Sequence, residues 1–385
     1  MARRDREREQ PFDLALAKVS RFTNTPVDQV SQRLQEFLKQ AKRSFEGREL
    51  DANSFAAVCT HIAGIGDRLP ATFGDRFLFD SALIRGIGDD FGEGVALSRM
   101  IVPRHESDWG HERVSMPSED LNFAHMMELI HLPGKDLLSE VDLLSYPWII
   151  HELGHYILAR HSDRFIPAFR DELKKTGANL RLGAIADRGQ AKARAEKTLN
   201  DVFKFWSPTY DQQNWAHELT IDLMSLWSCG PAYLACFQDV VENSNLNPYE
   251  LTEVHPPYAV RADALLKGAG QMRIGGFSLK LQQLSDSWQR SQWKNYRDNR
   301  FLALARPELV DGSLKVAFGL CRELKMPQCT AQRVANLSRE AAKYNGDEIG
   351  LDLLLLAWFV YEEKGKDAFS SWEARVVEQL VKQIK

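Results

Sequence analysis

The chain has 385 residues, of which 44% are hydrophobic and 26% charged, and its formal net charge is −4. This length is ample for a sizeable core, and the mild acidity gives no reason to expect nucleic acid as a partner. Five scattered cysteines without a CxxC pair argue against a disulfide scaffold and indicate a reducing, cytoplasmic location. The first ten residues are charged and no apolar segment follows them, which predicts a solvated start rather than a secretory signal.

The first predicted elements are two helices. Thr25 suits a helix N-cap and Pro26 the first helical position, and apolar residues then recur at helical spacing to about Phe45. A second helix is expected over residues 53–64. Residues 1–68 are therefore predicted to form an N-terminal helical segment.

The next part of the chain has the pattern of short strands separated by Gly- and Asp-rich turns. The predicted strands cover residues 76–79, 95–102, 113–116 and 127–134. The last strand ends at Pro133-Gly134 and has two interpretations. It is either an edge strand to which an extended substrate adds, or a structural hairpin strand.

The most informative motif follows, an HExxH sequence inside an apolar, helix-compatible run. His151 and His155 are four residues apart and would lie on one helix face, where both imidazoles can bind one metal ion. Zinc is the usual metal for this motif, and Glu152 would be the general base. The alternative is a half-buried helix that carries two ordinary histidines.

A second helical segment carries Glu218 and Asp222, again four residues apart. A catalytic zinc needs three protein ligands, and Glu218 would be the third. Asp222 would accept the free ring N–H of a ligating histidine. The alternative interpretation is a helix that carries two exposed acids.

Two histidines are rival candidates for the third ligand. His217 is one of them, but it lies about 100° round the helix from Glu218. His161 has the spacing of a third zinc-binding histidine, but Leu158 replaces the glycine of that pattern.

A third segment reads His255-Pro256-Pro257-Tyr258, with Arg261 downstream. Together, the HExxH, ExxxD and HPP motifs resemble the gluzincin metallopeptidases. Within that clan they are similar to the CAAX prenyl endopeptidase and heat-shock membrane protease family. The resemblance covers roughly residues 120–270. An ordinary helix start with a buried tyrosine is the alternative interpretation of the HPP segment.

The resemblance implies an α+β fold with a zincin-like core, in which a small mixed sheet accompanies the HExxH and ExxxD helices. It also implies a bound Zn2+ and a role for His255 as donor to the oxyanion, with Tyr258 and Tyr210 as further candidates. Arg261 would pair with an acid near the site, Asp222 or Glu218.

One departure from that family is large, because its members carry transmembrane helices. The longest apolar run near the C-terminus, Leu351 to Tyr361, contains Asp352 and is too short to span a bilayer. Membrane insertion is therefore not expected, and the membrane substrates of the family are not carried over.

Two adjacent glycines in the stretch Gly270 to Gly276 mark the best domain boundary. The predicted organisation is a helical segment (1–68), a zincin-like metallopeptidase domain (69–272) and a C-terminal helical domain (273–385). The last domain carries no catalytic motif, so it is interpreted as a scaffold or a partner-recognition domain.

The sequence thus predicts a zinc metalloendopeptidase that acts on a protein or peptide substrate. The alternative hypothesis is a metal-retaining binding or regulatory module that recognises a protein partner through its C-terminal helices. Substrate identity and oligomeric state stay open.

Overall fold

The structure is a computed structural model. It describes residues 2–25, 28–47, 51–68, 75–95, 101–106, 110–114, 127–133, 142–185, 190–209, 214–244, 246–341 and 349–384.

The chain forms two compact units. The first unit contains residues 1–85, 97–140 and 379–385, and the second contains residues 86–96 and 141–378. Residues 141–378 belong to one unit, and the domain boundaries placed at residues 68 and 272 stay a prediction.

The first unit has a helical core. Its helices are α1 (Ala2–Ser20), α2 (Asp28–Glu46), α3 (Ala52–Arg68) and the first part of α4 (Asp75–Val95). Apolar residues of α1, α2 and α3, together with Phe77 of α4, pack into one cluster. The helices predicted after Thr25 and over residues 53–64 are confirmed as α2 and α3. The charged N-terminus is helical from Ala2 rather than an irregular start.

The described part of the first unit also contains three strands, β1 (Ile101–Glu106), β2 (Gly110–Val114) and β3 (Met127–Pro133), in the order β1-β3-β2. β1 pairs with β3 in parallel, and β2 pairs with β3 in antiparallel orientation. β3 is thus the central strand, with both edges already hydrogen-bonded. Of the two interpretations of this segment, an edge strand to which a substrate adds is therefore wrong.

The predicted α+β zincin-like fold is also wrong, because helices make up most of the protein. Both motif helices lie in the second unit, and none of its described residues lies in a strand. Residues 76–79, predicted as a strand, lie inside α4. In the zincin pattern a sheet would accompany the HExxH and ExxxD motifs, whereas in this protein helices enclose both motifs.

Among the described residues, ten further helices build most of the second unit, together with the end of α4 and most of a long last helix. They are α5 (Pro147–Arg160), α6 (Ser162–Ile185), α7 (Gln190–Trp206), α8 (Trp215–Cys229), α9 (Pro231–Ser244), α10 (Tyr258–Gln271), α11 (Leu279–Arg290), α12 (Asn299–Leu304), α13 (Pro307–Glu323) and α14 (Ala331–Glu340); the last helix is α15 (Leu351–Ile384). None of the helices in the described part of the chain is long and apolar enough to cross a membrane.

The α8 helix is the centre of the second unit. Every residue of α8 except His217 is buried, and α5, α7, α9, α10 and α13 all pack against it. A helix that is apolar on all sides is stable only when other elements enclose it. The enclosure carries Glu218 and Asp222 into the interior, where ionised groups need partners.

Two glycines allow the close helix packing that shapes this region. A Cβ on Gly154 of α5 would lie 2.6 Å from Cγ2 of Ile221 in α8. A Cβ on Gly268 of α10 would lie 2.7 Å from Cδ2 of Leu226 in the same helix. Both glycines therefore let their helices approach α8 more closely than any side chain would permit.

Candidate metal centre

The α5 helix supplies the HExxH residues. It begins at Pro147, after Tyr146 as N-cap, and the hydroxyl of Ser145 donates to the carbonyl of Asp142 just before it. His151 and Glu152 are buried, and His155 is nearly so. The predicted helix and the spacing that places both imidazoles on one face are confirmed.

The α8 helix brings Glu218 to the two histidines. Its N-terminus is capped by Asn214, whose side chain accepts hydrogen bonds from the backbone N–H groups of Ala216 and His217. His151, His155 and Glu218 each offer one ligand atom, and these three atoms lie within 4.8 Å of one another. The group could therefore hold a metal ion. The three residues predicted as ligands are therefore brought together.

The distances in this group suit a small cation. His151 Nε2 lies 3.4 Å from Glu218 Oε2, and His155 Nε2 lies 3.7 Å from Glu218 Oε1. Donors bound tetrahedrally at about 2.1 Å lie roughly 3.4 Å apart. Both distances are close to that value, although each runs to a different oxygen of Glu218.

The carboxylate of Glu218 is the least satisfied group of the site. It is fully buried, and neither oxygen has a hydrogen-bond partner of normal geometry within the described part of the chain. Burial favours the neutral acid, but the neighbouring imidazoles of His151, His255 and His155 hold the pKa of Glu218 well below its usual range. A buried carboxylate without a hydrogen-bond partner of normal geometry, facing three imidazoles, fits a metal ligand.

Asp222 lies one turn beyond Glu218 and is bonded by three side chains. Its Oδ1 is 3.0 Å from His151 Nδ1, as the ExxxD interpretation predicts. Arg261 donates to both oxygens, from Nε and Nη2, at 2.7 Å each. Tyr233 donates its hydroxyl to Oδ1 at 2.6 Å. Arg261 was expected to pair with Asp222 or Glu218, and it pairs with Asp222.

The charges of this network follow from burial and pairing. Burial would raise the pKa of Asp222, but Arg261 and His151 lower it to about 2, so the carboxylate is ionised. Burial raises the pKa of Tyr233 well above its ordinary value, so the hydroxyl stays protonated and donates. Ionised Asp222 is an acceptor for the Nδ1–H of His151, which leaves Nε2 facing Glu218.

Two residues of the site were missed from the sequence. The ring of Trp148 stacks on His151, with centroids 4.9 Å apart at an interplanar angle of 24°. Tyr233 of α9 is the second, and its hydroxyl lies 3.3 Å from His151 Nδ1 in addition to its bond to Asp222. Trp148 precedes His151 by three residues on the same helix, so its spacing was a signal. No local pattern pointed to Tyr233.

His255 lies at the rim of this group. Its Nδ1 is 3.3 Å from Glu218 Oε2, but its side chain is 60% exposed. It is not among the residues whose ligand atoms cluster within 4.8 Å. His255 is therefore placed beside the candidate metal ligands rather than among them.

The rival residues lie elsewhere. His161 marks the end of α5, and His217 packs against the ring of Phe165, 4.9 Å between centroids. Neither belongs to the group of candidate ligands found among the described residues. Tyr258 lies with its ring near Arg261, and Tyr210 falls outside the described residues.

The comparisons with known proteins add no relative. No protein-family model matches the chain, and no curated protein or solved structure matches it. The resemblance to the gluzincin peptidases stays a hypothesis that rests on the three motifs.

Proposed function

We propose that this protein is a zinc-dependent metalloendopeptidase of the gluzincin type. The observation that carries the proposal is the buried group of His151, His155 and Glu218, with its carboxylate lacking hydrogen-bond donors among the described residues. Two imidazoles and one carboxylate are the ligand set typical of a catalytic zinc site with one open position.

The bound zinc would polarise a peptide carbonyl and lower the pKa of a water molecule to near neutrality. His151, His155 and Glu218 would hold the ion. Asp222 would fix the ring of His151 through its Nδ1–H, and Arg261 and Tyr233 would fix Asp222.

Two residues would act on the substrate. Glu152 is next to His151 and buried, and its carboxylate would take the proton of the attacking water and pass it to the leaving amine. His255, at the exposed rim, would donate a hydrogen bond to the carbonyl oxygen as negative charge develops there. The substrate would be a protein or a peptide, and the cytoplasmic location stays a prediction.

A metal-retaining binding module is the second candidate, and one observation favours it. His151, Glu152 and Glu218 are all at most 5% exposed, which is the burial expected of a structural metal site. Recognition of a protein partner would then fall to other parts of the surface.

One experiment separates the two candidates. Metal content and cleavage of unfolded casein are measured for the wild-type protein and for Glu152→Gln. The peptidase proposal expects one zinc per chain in both proteins and cleavage in the wild type alone. Equal behaviour of the two proteins towards casein would favour the binding module, and zinc retention in His155→Ala would place the metal elsewhere.

A further inference from the structure

The exposed segment that carries His255 has its backbone held by one neighbouring side chain. The hydroxyl of Thr252 accepts a hydrogen bond from the N–H of His255 at 3.1 Å. The same hydroxyl donates to the carbonyl oxygen of His255 at 2.6 Å. Both backbone groups of His255 are thus bonded to a single oxygen atom, so the turn from Thr252 to His255 closes around it.

Thr252 is in turn attached to α8. The indole Nε1–H of Trp215 donates to the carbonyl oxygen of Thr252 at 2.8 Å. Trp215 is fully buried, and its ring packs edge-on against Phe205 at 5.1 Å and Trp206 at 5.5 Å between centroids. Because Trp215 is the first residue of α8 and Glu218 lies three residues on, one rigid helix places both Glu218 and the His255 segment.

The rest of the segment is fixed at its base. The N–H of Ala259 donates to the carbonyl of Pro248 at 2.9 Å, which closes the loop. Pro256 and Pro257 are buried, and each proline ring fixes its own φ angle. The ion pair between Lys204 and Glu253 is exposed and contributes little.

We infer that Thr252, anchored by Trp215, is a positioning residue that holds His255 at the rim of the candidate metal centre. The inference rests on the proposed peptidase function and on the role of His255 in it. The imidazole of His255 is 60% exposed and its Nδ1 lies 3.3 Å from Glu218 Oε2, so the hydrogen bonds of its backbone fix the point from which the ring reaches the site. A donor to a developing oxyanion is effective only when it is held in place before the reaction.

The test uses the full chain loaded with zinc and fluorescein-labelled casein as the probe. Thr252→Val keeps the shape of the side chain and removes the hydroxyl, and Thr252→Ser keeps the hydroxyl. We expect kcat to fall roughly ten- to a hundred-fold in the valine variant, the effect of a misplaced catalytic group, with KM and zinc affinity nearly unchanged. The serine variant should recover most of the activity.

Coupling to His255 separates positioning from simple stabilisation. In a His255→Gln background, Thr252→Val should cause no further loss of kcat, because the group that it positions is gone. If the valine substitution lowers kcat by the same factor in both backgrounds, Thr252 only stabilises the loop and the inference is overturned.

A measurement without substrate keeps the inference separate from the proposed function. The side-chain NMR signal of His255, assigned by its absence in His255→Gln, should broaden or shift in Thr252→Val and return in Thr252→Ser. An unchanged signal in the valine variant would overturn the inference even in an active enzyme. Failure of the wild-type protein to cleave casein would count against the peptidase proposal, while the NMR signal would still decide whether Thr252 holds His255.

Discussion

The candidate site has two halves that are held by different means. The metal-holding half is buried, and the side chains of His151, Tyr233 and Arg261 form hydrogen bonds with Asp222. The half that carries His255 is exposed, and a short series of hydrogen bonds from Trp215 and Thr252 holds it. Burial preorganises ligands for an ion, whereas His255 must remain accessible if it is to meet a substrate. The two halves should therefore respond differently to substitution: loss of a metal ligand should lower metal affinity, while changes in the half that carries His255 should lower turnover and leave the metal bound.

The largest effect is expected from Glu218, the buried carboxylate of the metal-holding half. Glu218→Gln keeps the volume but replaces an ionised oxygen ligand with a neutral amide. We expect zinc affinity to fall roughly a hundred-fold or more, as for loss of a direct ligand. Equilibrium binding with a zinc chelator as competitor measures this fall. His161→Gln is the control and should bind zinc like the wild type; loss of zinc in the control with retention in Glu218→Gln would overturn the ligand assignment.

A smaller effect is expected from Asp222, which bonds His151 without being a candidate ligand. Asp222→Asn should weaken zinc binding roughly ten- to a hundred-fold, the range of changes next to metal ligands. It also leaves the guanidinium of Arg261 buried without its counter-charge, so the free energy of unfolding should fall by about 3–5 kcal/mol. Chemical denaturation of the metal-free protein measures the second effect.

Tyr233→Phe is the matched control for Asp222, because it removes one donor and keeps the charge pair. It should lower the free energy of unfolding by only about 1 kcal/mol. Similar losses in the two variants would show that the ion pair between Asp222 and Arg261 does not stabilise this half of the site.

The packing of α5 on α8 gives the next prediction. Gly154→Ala places a methyl group 2.6 Å from Cγ2 of Ile221, a β-branched side chain that cannot easily move away. We expect the helices to separate slightly, with a loss of about 1–3 kcal/mol in the free energy of unfolding and weaker zinc binding. Gly319→Ala is the control, since no atom lies within 4 Å of the added methyl group and α13 should gain stability. Equal effects of the two substitutions would show that close approach at Gly154 is not required.

The sequence predicted the metal-holding half because helical spacing alone determines much of it. His151 and His155, like Glu218 and Asp222, share a helix face through the 3.6-residue repeat. It did not predict Tyr233, because α9 reaches Asp222 through tertiary packing that leaves no local pattern. It did not predict the hydrogen bond from Trp215 to Thr252, because that contact also forms through tertiary packing.

The fold class was wrong for two physical reasons. Phe77 to Phe79, which follow Arg76, are a short apolar run, and such runs do not distinguish a strand from part of a buried helix. The motif resemblance then supplied a sheet that the second unit lacks among its described residues. The sequence of α8 carried a contrary signal: apart from Cys229, its only ionisable residues are His217, Glu218 and Asp222, which is typical of a helix enclosed by other helices.

His217 adjoins Glu218 but belongs to neither half of the site. It is only half-buried, and the partial loss of water around its ring lowers its pKa from 6.5 to about 4. Between these values the folded protein keeps the imidazole neutral, while the unfolded chain takes up a proton. The contribution of His217 to stability is therefore complete above pH 6.5 and is lost as the pH falls towards 4.

Urea denaturation of the wild type and of His217→Gln, each at about pH 7 and about pH 5, measures this loss, since the amide does not titrate in this range. We expect the free energy of unfolding to fall more in the wild type than in the variant. An equal fall in both proteins would show that the acid sensitivity comes from other histidines, including those that face Glu218.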